Sequence, residues 1–471
     1  MTTGTESSSS TVKTGLIAPL LTLRGERVTK VKHTVLGVDG SQIAELSTAP
    51  ALLIAQTIAN QRQCKPLLRF HREEALRRAS EIFLHSTLDG FTFEDHLRAV
   101  SMVSGHPYDV VKSLTRAVAE SIEDAPRRAY LGRPSGSVES WHEAVNTPGA
   151  GVWSRRGEVL GAVLSGNSPA VHGPWLQALA LGYRVAVRPS QREPLTGLRV
   201  VRALLSAGFQ TSDISFLPTD HRGADEILRR SDLGLIHGGA DINRKYGNDP
   251  RIKVGGPGRS KTVVTATADW NTALDSVVTA VTAQSGAACV NTSAVMIDGD
   301  HRLFAEQLRE RLRKPDDIGG TQYRHSGPRV SAEVGESVVA YLRRRSVNVS
   351  TLVALESIAQ PDGTGAVLLT PAIFAVDDPA DELLGLEFGF PCVSVTPWRP
   401  AGGIESLRNS LVVNVIGDGD EVLKLVDSLI GDSTITNVHL NSPTTYADPR
   451  MPHDGYIGEF LMTSKGFAAY R

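Results

Sequence analysis

One thiol sets the chemistry to be weighed in this chain. Cys289 lies in TAQSGAACVN (282–291), directly after Gly286, Ala287 and Ala288. The other two cysteines, Cys64 and Cys392, are remote in sequence, so no disulfide framework or zinc spacing is offered. A thiolate attacks acyl carbon well, and a nucleophile that must be approached closely needs small neighbours. The plain alternative is a small apolar residue in a tight turn, and Cys64 and Cys392 keep that reading.

The bulk numbers exclude several partners. The chain has 471 residues, 41% of them hydrophobic, with 49 basic against 51 acidic side chains and a net charge of −2. That balance favours neither nucleic acid nor a membrane surface. The apolar piece LIAPLLTL (16–23) is short, contains Pro19 and lacks a basic leader. The expectation is a cytoplasmic protein in a reducing compartment, with no metal, and with a polar, disordered tail over 1–15.

The elements that must position Cys289 alternate. HREEALRRASEIFL (71–84) opens a helical region that runs to about Glu123, punctuated by Gly90 and SGHP (104–107). Residues 137–157 are rich in turn formers and read as a protruding hairpin. VLGAVLS (159–165), YRVAVRP (183–189), ISFLP (214–218) and DLGLIHGG (232–239) read as strands. Helices join them at WLQALALG (175–182), PLTGLRVVRALLSAG (194–208) and GADEILRRS (223–231). Such alternation predicts a parallel sheet wrapped by helices, with ligands at the carboxyl ends of its strands.

A second alternating block follows. A helix is predicted over 271–286, then the Cys289 loop, then a strand at TSAVMIDG (292–299). A helix at 301–314, strands at 366–376 and 391–398, and a strand-helix-strand unit from LVVNVIGDG to TITNVHL complete it. The stretch from about Asn441 is rich in proline and glycine and ends as an arm.

Six segments now stand in order: SGNSP (165–169), VAVRPSQREPLT (185–196), HGGADINRKYG (237–247), KVGGPGRSKTVV (253–264), SGAACVNTS (285–293) and LEFGFPCVSV (386–395). Together they resemble the aldehyde dehydrogenase superfamily over nearly the whole chain, and within it the acyl-CoA reductase branch, which reduces activated acyl groups. The resemblance implies an α/β fold of two parallel units, a Rossmann-like nicotinamide-binding domain (16–135 and 158–252) and a catalytic domain (253–440). It also implies an oligomerisation arm built from a hairpin and a C-terminal extension (136–157 and 441–471), hence a homodimer or homotetramer.

The resemblance assigns roles. Cys289 is the nucleophile. Asn167 matches the asparagine that donates to the oxyanion beside the backbone N–H of the nucleophile. Arg188 stands where a lysine usually binds the cofactor ribose, Ser190 follows, and Gln191 replaces a glutamate common in NAD-using members. Glutamine does not repel a 2′-phosphate and the arginines Arg188 and Arg192 attract one, so NADPH is expected, with NADH as second option. Gly238 and Gly239 match the turn at the pyrophosphate. Glu387 falls where a glutamate holds the nicotinamide-side ribose, and Phe388 and Phe390 beside it read as core residues with an acyl pocket as the alternative. His172 and His237 read as satisfied polar groups near a cleft.

One departure matters. Aldehyde-oxidising members carry, before the glycine pair of KVGGPG, a glutamate that activates water. Lys253 stands there, 36 residues before Cys289, and RIKV offers no carboxylate; Asp249 is the nearest acid in sequence. Without that base an acyl-enzyme resists hydrolysis and survives for reduction. The implied reaction is NADPH-dependent reduction of an acyl-CoA, acyl-carrier or acyl-adenylate to an aldehyde, with an acyl-activating ligase or carrier protein as partner. The alternatives are aldehyde oxidation to an acid or acyl-CoA through another base, and a non-catalytic subunit of a reductase complex.

Overall fold

The strand Val159–Val163 is buried at every residue, as is Arg184–Arg188 beside it, the pattern of a parallel sheet covered on both faces. The computed structural model describes residues 12–313, 327–347 and 349–469. Among them, the first sheet runs in the order Ile252–Gly255, Leu233–His237, Val159–Val163, Arg184–Arg188, Ile214–Phe216, Leu20–Thr22, Gly25–Arg27. Its first five strands are parallel; Leu20–Thr22 joins antiparallel. The chain enters at Val159–Val163, winds outward to Ile214–Phe216, and crosses back to Leu233–His237. The strand order therefore reverses beside Val159–Val163, and a crevice opens at the carboxyl ends there.

The second sheet orders Ser350–Thr351, Ala372–Ala375, Cys392–Pro397, Thr292–Ile297, Ser260–Val264, Ser410–Ile416 and Ile435–Leu440, parallel apart from the first. Helices Trp270–Thr282 and His301–Leu312 cover it through Leu274, Val277, Phe304 and Leu308, all buried. The expected α/β architecture of two parallel units is present.

The helical region is three helices, Arg69–His85, Phe93–Ser104 and Tyr108–Glu123. A Thr92–Asp95 capping box starts the second and Gly105, at φ 77°, ends it. Residues 12–15 are described, with Gly15 N donating to Ile43 O at 3.1 Å, and the rest of the expected tail lies outside the described residues.

Three expectations need correction. Residues 137–157 are not a hairpin: Ser137–Val138 and Gly151–Arg155 pair parallel, with helix Trp141–Asn146 between them. Ser140 Oγ accepts from Glu143 N at 3.2 Å, an S-x-x-E signature that outweighed the surrounding turn formers. The antiparallel neighbour of Gly151–Arg155 is Met462–Gly466, from the far end of the chain. The helix predicted over 271–286 stops at Thr282, because Gln284 and Ser285 take left-handed φ of 51° and 57°. Helix Ala332–Arg345, started by Ser331, was not anticipated.

Candidate active site

Asn291 shapes the turn that carries Cys289. Its Nδ2 donates to Ala280 O at 2.8 Å and Ala283 O at 3.0 Å, satisfying carbonyls at the end of helix Trp270–Thr282. Its Oδ1 accepts from Ala288 N at 2.7 Å. One side chain thus fixes both ends of the turn. Two neighbours then press on it. A Cβ on Gly286, itself at φ 74°, would lie 2.2 Å from Pro391 N, and one on Gly258 would lie 1.9 Å from Cys289 O. The glycine before Cys289 is small because the 386–391 segment runs across it. Ser260 Oγ donates to Cys289 O at 3.1 Å and anchors the turn to the second sheet. Cys289 itself stays half-buried.

Asn167 reaches this turn from the first sheet. It follows strand Val159–Val163, and its Nδ2 donates to Ala287 O at 3.1 Å. Its Oδ1 accepts from Ser165 Oγ at 2.7 Å, and its carbonyl faces His106 Nε2 at 2.9 Å. Burial pushes the His106 pKa down, against the Asn167 bond, so the ring is neutral and donates. Asn167 Nδ2 keeps a second hydrogen beyond the one Ala287 takes. The structure therefore joins Asn167 to the turn that carries Cys289, across the cleft between the two sheets.

A group that sequence reasoning missed also meets the thiol. His453 Nε2 lies 3.4 Å from Cys289 Sγ, and His453 Nδ1 lies 3.1 Å from Asp454 Oδ2. Desolvation pulls the His453 pKa down, but the bonds to Asp454 and Cys289 outweigh it and push it up to about 10. Asp454 is desolvated too, which raises its pKa, yet the His453 bond and the charges of His453, Lys253 and His237 hold it below the usual carboxylate value. Lys253 does not stand free: its Nζ donates to Asp454 O. Asp249, the nearest acid in sequence, pairs with Arg251 at 2.7 Å instead. The loop bearing His453 is held on both sides. Asn437 Nδ2 donates to His453 O at 2.7 Å, and helix Ile457–Leu461 follows, with Arg156 N donating to Leu461 O at 3.0 Å.

The residues expected at the cofactor gather at the carboxyl edge of the first sheet. Arg188 ends its strand, is buried, and donates from Nε to Thr219 O at 3.2 Å; burial pushes its pKa down, with Asp220 opposing. Ser190 Oγ accepts from Arg192 N at 3.1 Å, Gln191 is half-exposed, and Arg192 donates to Ser104 O at 3.3 Å. Gly238 N donates to Gly255 O at 3.0 Å. Gly239 precedes helix Ala240–Tyr246, and a Cβ there would meet nothing within 4 Å, so the backbone is open to a ligand. Glu387 lies on the other wall. Its Oε2 accepts from Gly258 N at 2.9 Å, and although solvent reaches it, desolvation by the cleft raises its pKa against that bond. Open glycine backbone at a topological switch point, with guanidinium groups on one side and a carboxylate across the gap, fits a dinucleotide.

The remaining candidates divide. His172 Nδ1 accepts from buried Trp175 Nε1 at 3.1 Å, and burial pushes its pKa down to about 3, so it is a satisfied core histidine. His237 Nδ1, by contrast, is buried and meets no partner of good geometry among the described residues. Cys64 Sγ donates to Asn60 O at 3.4 Å, and desolvation pushes the Cys392 thiol pKa up. Phe388 stacks edge-on with Tyr341 and Phe390 at 6.0 and 5.8 Å, inside the second core. Among the described residues, no group of three His, Cys, Asp or Glu stands ready for a metal, and no helix is long and apolar enough to cross a membrane.

Comparison with known proteins agrees with this fold. The phenylacetaldehyde dehydrogenase of Pseudomonas fluorescens is 23% identical over 332 residues, which span 66% of this chain and 64% of that enzyme, just under two thirds of its length. Among solved structures, the lactaldehyde dehydrogenase of Escherichia coli superposes with a TM-score of 0.78 at 14% identity, covering 96% of this chain and 98% of that one. The 1-pyrroline-5-carboxylate dehydrogenase of Thermus with bound NAD gives 0.76 at 17% identity, covering 96% and 92%. The model of the aldehyde dehydrogenase family matches residues 159–457, which include Asn167, Lys253, Cys289, Glu387 and His453. The chain belongs to the aldehyde dehydrogenase family.

Proposed function

We propose that the chain reduces an activated acyl group to an aldehyde through a thioester on Cys289. The observation that carries this reading is what surrounds the thiol. Where a water-activating carboxylate is expected stands Lys253, its Nζ donating to Asp454 O, and the carboxylates of the cleft are engaged, Asp454 with His453 and Glu387 with Gly258. Lys253 Nζ donates there and offers no carboxylate to take a proton from water. The acyl-enzyme is thereby spared hydrolysis.

The steps use this chain's own groups. Cys289 attacks the acyl carbon and displaces the carrier. Asn167 Nδ2, with backbone N–H groups of the turn, holds the oxyanion. Arg188, Ser190, Gln191, Gly238, Gly239 and Glu387 hold the nicotinamide cofactor, which supplies the reducing equivalent at the acyl carbon when bound. Collapse of the reduced adduct frees the aldehyde and regenerates the thiol. Buried Arg188, exposed Arg192 and the absence of a carboxylate at Gln191 favour NADPH over NADH. The acyl donor is a CoA or carrier thioester, or an adenylate made by a partner ligase. The strand pairing of Gly151–Arg155 with Met462–Gly466 supports an arm through which two or four copies assemble. A cytoplasmic setting suits three unpaired cysteines.

The names of the relatives favour a second reading, oxidation of an aldehyde to its acid. A panel of acyl-CoAs, acyl carriers and aldehydes with NADPH or NADH, followed by nicotinamide absorbance in both directions, separates the two. Fast conversion of aldehyde to free acid without a thiol acceptor overturns the reductive reading. A non-catalytic subunit is opposed by the intact Cys289–Asn167 pair, and nicotinamide binding in titration would exclude it.

A further inference from the structure

We propose that His453, oriented by Asp454, is the acid–base partner of Cys289: it takes the thiol proton and later delivers it to the departing group of the acyl donor. This rests on the acyl-transfer reading above and adds to it the identity of the proton carrier.

The geometry has three parts. Nε2 of His453 faces Sγ at 3.4 Å, within reach of a sulfur hydrogen bond. Nδ1 faces Asp454 Oδ2 at 3.1 Å, which fixes the ring and leaves Nε2 for the thiol. The backbone around the pair is fastened, Asn437 holding His453 O at 2.7 Å and Lys253 holding Asp454 O. A thiol, an imidazole and a carboxylate in line is the arrangement that activates a nucleophile, recognised by geometry and not by sequence position. The titratable and charged groups facing His453 are Asp454 on its own loop, Cys289 from the nucleophile turn, and His237 at the end of its strand, with Lys253 acting through Asp454. Two of them favour the imidazolium. The contact with Asp454 thus favours transfer of the thiol proton to Nε2.

The step balances without a co-reactant. The thiol proton passes to Nε2, leaving thiolate and imidazolium. Sulfur bonds to the acyl carbon and the carbonyl pair moves to oxygen. That pair returns as the bond from acyl carbon to the carrier sulfur breaks. The carrier thiolate takes the proton from Nε2. Acyl-Cys289, a free carrier thiol and neutral His453 remain; solvent then returns a proton to the ring beside Asp454, which removes it as a base for water and supplies the proton that later regenerates the thiol. A basic alkyl thiolate needs the Nε2 proton to leave; an acidic aryl thiolate does not.

The test compares the full chain with His453→Gln and Asp454→Asn variants. At pH 7, iodoacetamide labelling of Cys289 should slow about tenfold in His453→Gln, since the thiolate loses its counter-ion. Acylation by coenzyme A thioesters, from acetyl to dodecanoyl, should slow about 10²-fold, and by 4-nitrothiophenyl esters of the same acids only about tenfold. Asp454→Asn, which keeps the ring but loosens it, should fall between wild type and His453→Gln on the coenzyme A esters. It carries the same comparison should His453→Gln not fold. Unchanged labelling, or equal losses on both ester types, overturns the proposal. If no thioester acylates the wild-type chain while labelling still depends on His453, the acyl-transfer reading fails and the proton pair stands.

Discussion

Asn167 Nδ2 lies 3.1 Å from Ala287 O, so the first sheet's opening loop touches the turn that presents Cys289, 120 positions later. The contact joins an amide donor of one unit to a backbone carbonyl of the other, and the two units share no strand.

Cys289→Ala removes the reacting atom and leaves the turn, which Asn291 and Ser260 hold through the backbone. Turnover and acyl-adduct mass on the Cys289 peptide should vanish, while nicotinamide affinity in fluorescence titration stays at the wild-type value.

Lys253→Glu puts a carboxylate where an ammonium now meets the Asp454 backbone. With a base in the cleft, water should compete for the acyl-enzyme. The ratio of free acid to aldehyde should rise at least tenfold, within the range ascribed to a placed general base. Product analysis by chromatography reads it, and an unchanged ratio removes Lys253 from the account of hydrolysis.

Gly286→Ala meets two obstacles at once: φ is 74°, and the new methyl would lie 2.2 Å from Pro391 N. The cost should be about 3 kcal/mol, read by urea unfolding. Iodoacetamide labelling of Cys289 should change with it, because the turn must move to relieve the clash.

Acid should weaken the fold through its buried histidines. His172 has a folded pKa of about 3, below the ordinary value of 6.5, and desolvation lowers His96 as well. Between these values the unfolded chain binds the proton and the folded chain does not. Stability is therefore full above pH 6.5 and falls as pH drops toward 3, by up to about 1.4 kcal/mol per pH unit for each such group. Urea unfolding at pH 7, 6, 5 and 4 tests this. A His172→Phe variant should show a shallower slope, whatever its stability at pH 7.

The parallel sheets were legible because fully buried strands read as unbroken apolar runs between helical periods, as in 159–165 and 292–299. The loop that carries Cys289, between a helix and the strand Thr292–Ile297, was legible too. The histidine facing Cys289 was not. His453 sits in a loop rich in proline and glycine, 164 positions away, where no period links it to Cys289. Asp454 was hidden for the same reason, and Lys253 was weighed against Asp249, close in sequence and engaged elsewhere. The helix Trp141–Asn146 could have been found from Ser140 and Glu143, had the capping spacing been set against the turn formers around it. The end of helix Trp270–Thr282 depended on Asn291, whose capping works backwards across nine residues and leaves no local mark.

The loop of His453 is pinned by Asn437 on one side and, through helix Ile457–Leu461, by Arg156 on the other. During synthesis, then, the thiol emerges from the ribosome well before the imidazole. A nascent chain carries a cysteine without the ring that would charge it. In the fold, Asn437 holds the backbone of that ring, and the chain beyond it runs on to pair Met462–Gly466 with Gly151–Arg155. The two side chains that meet in the cleft are thus made 164 positions apart and join only in the folded protein.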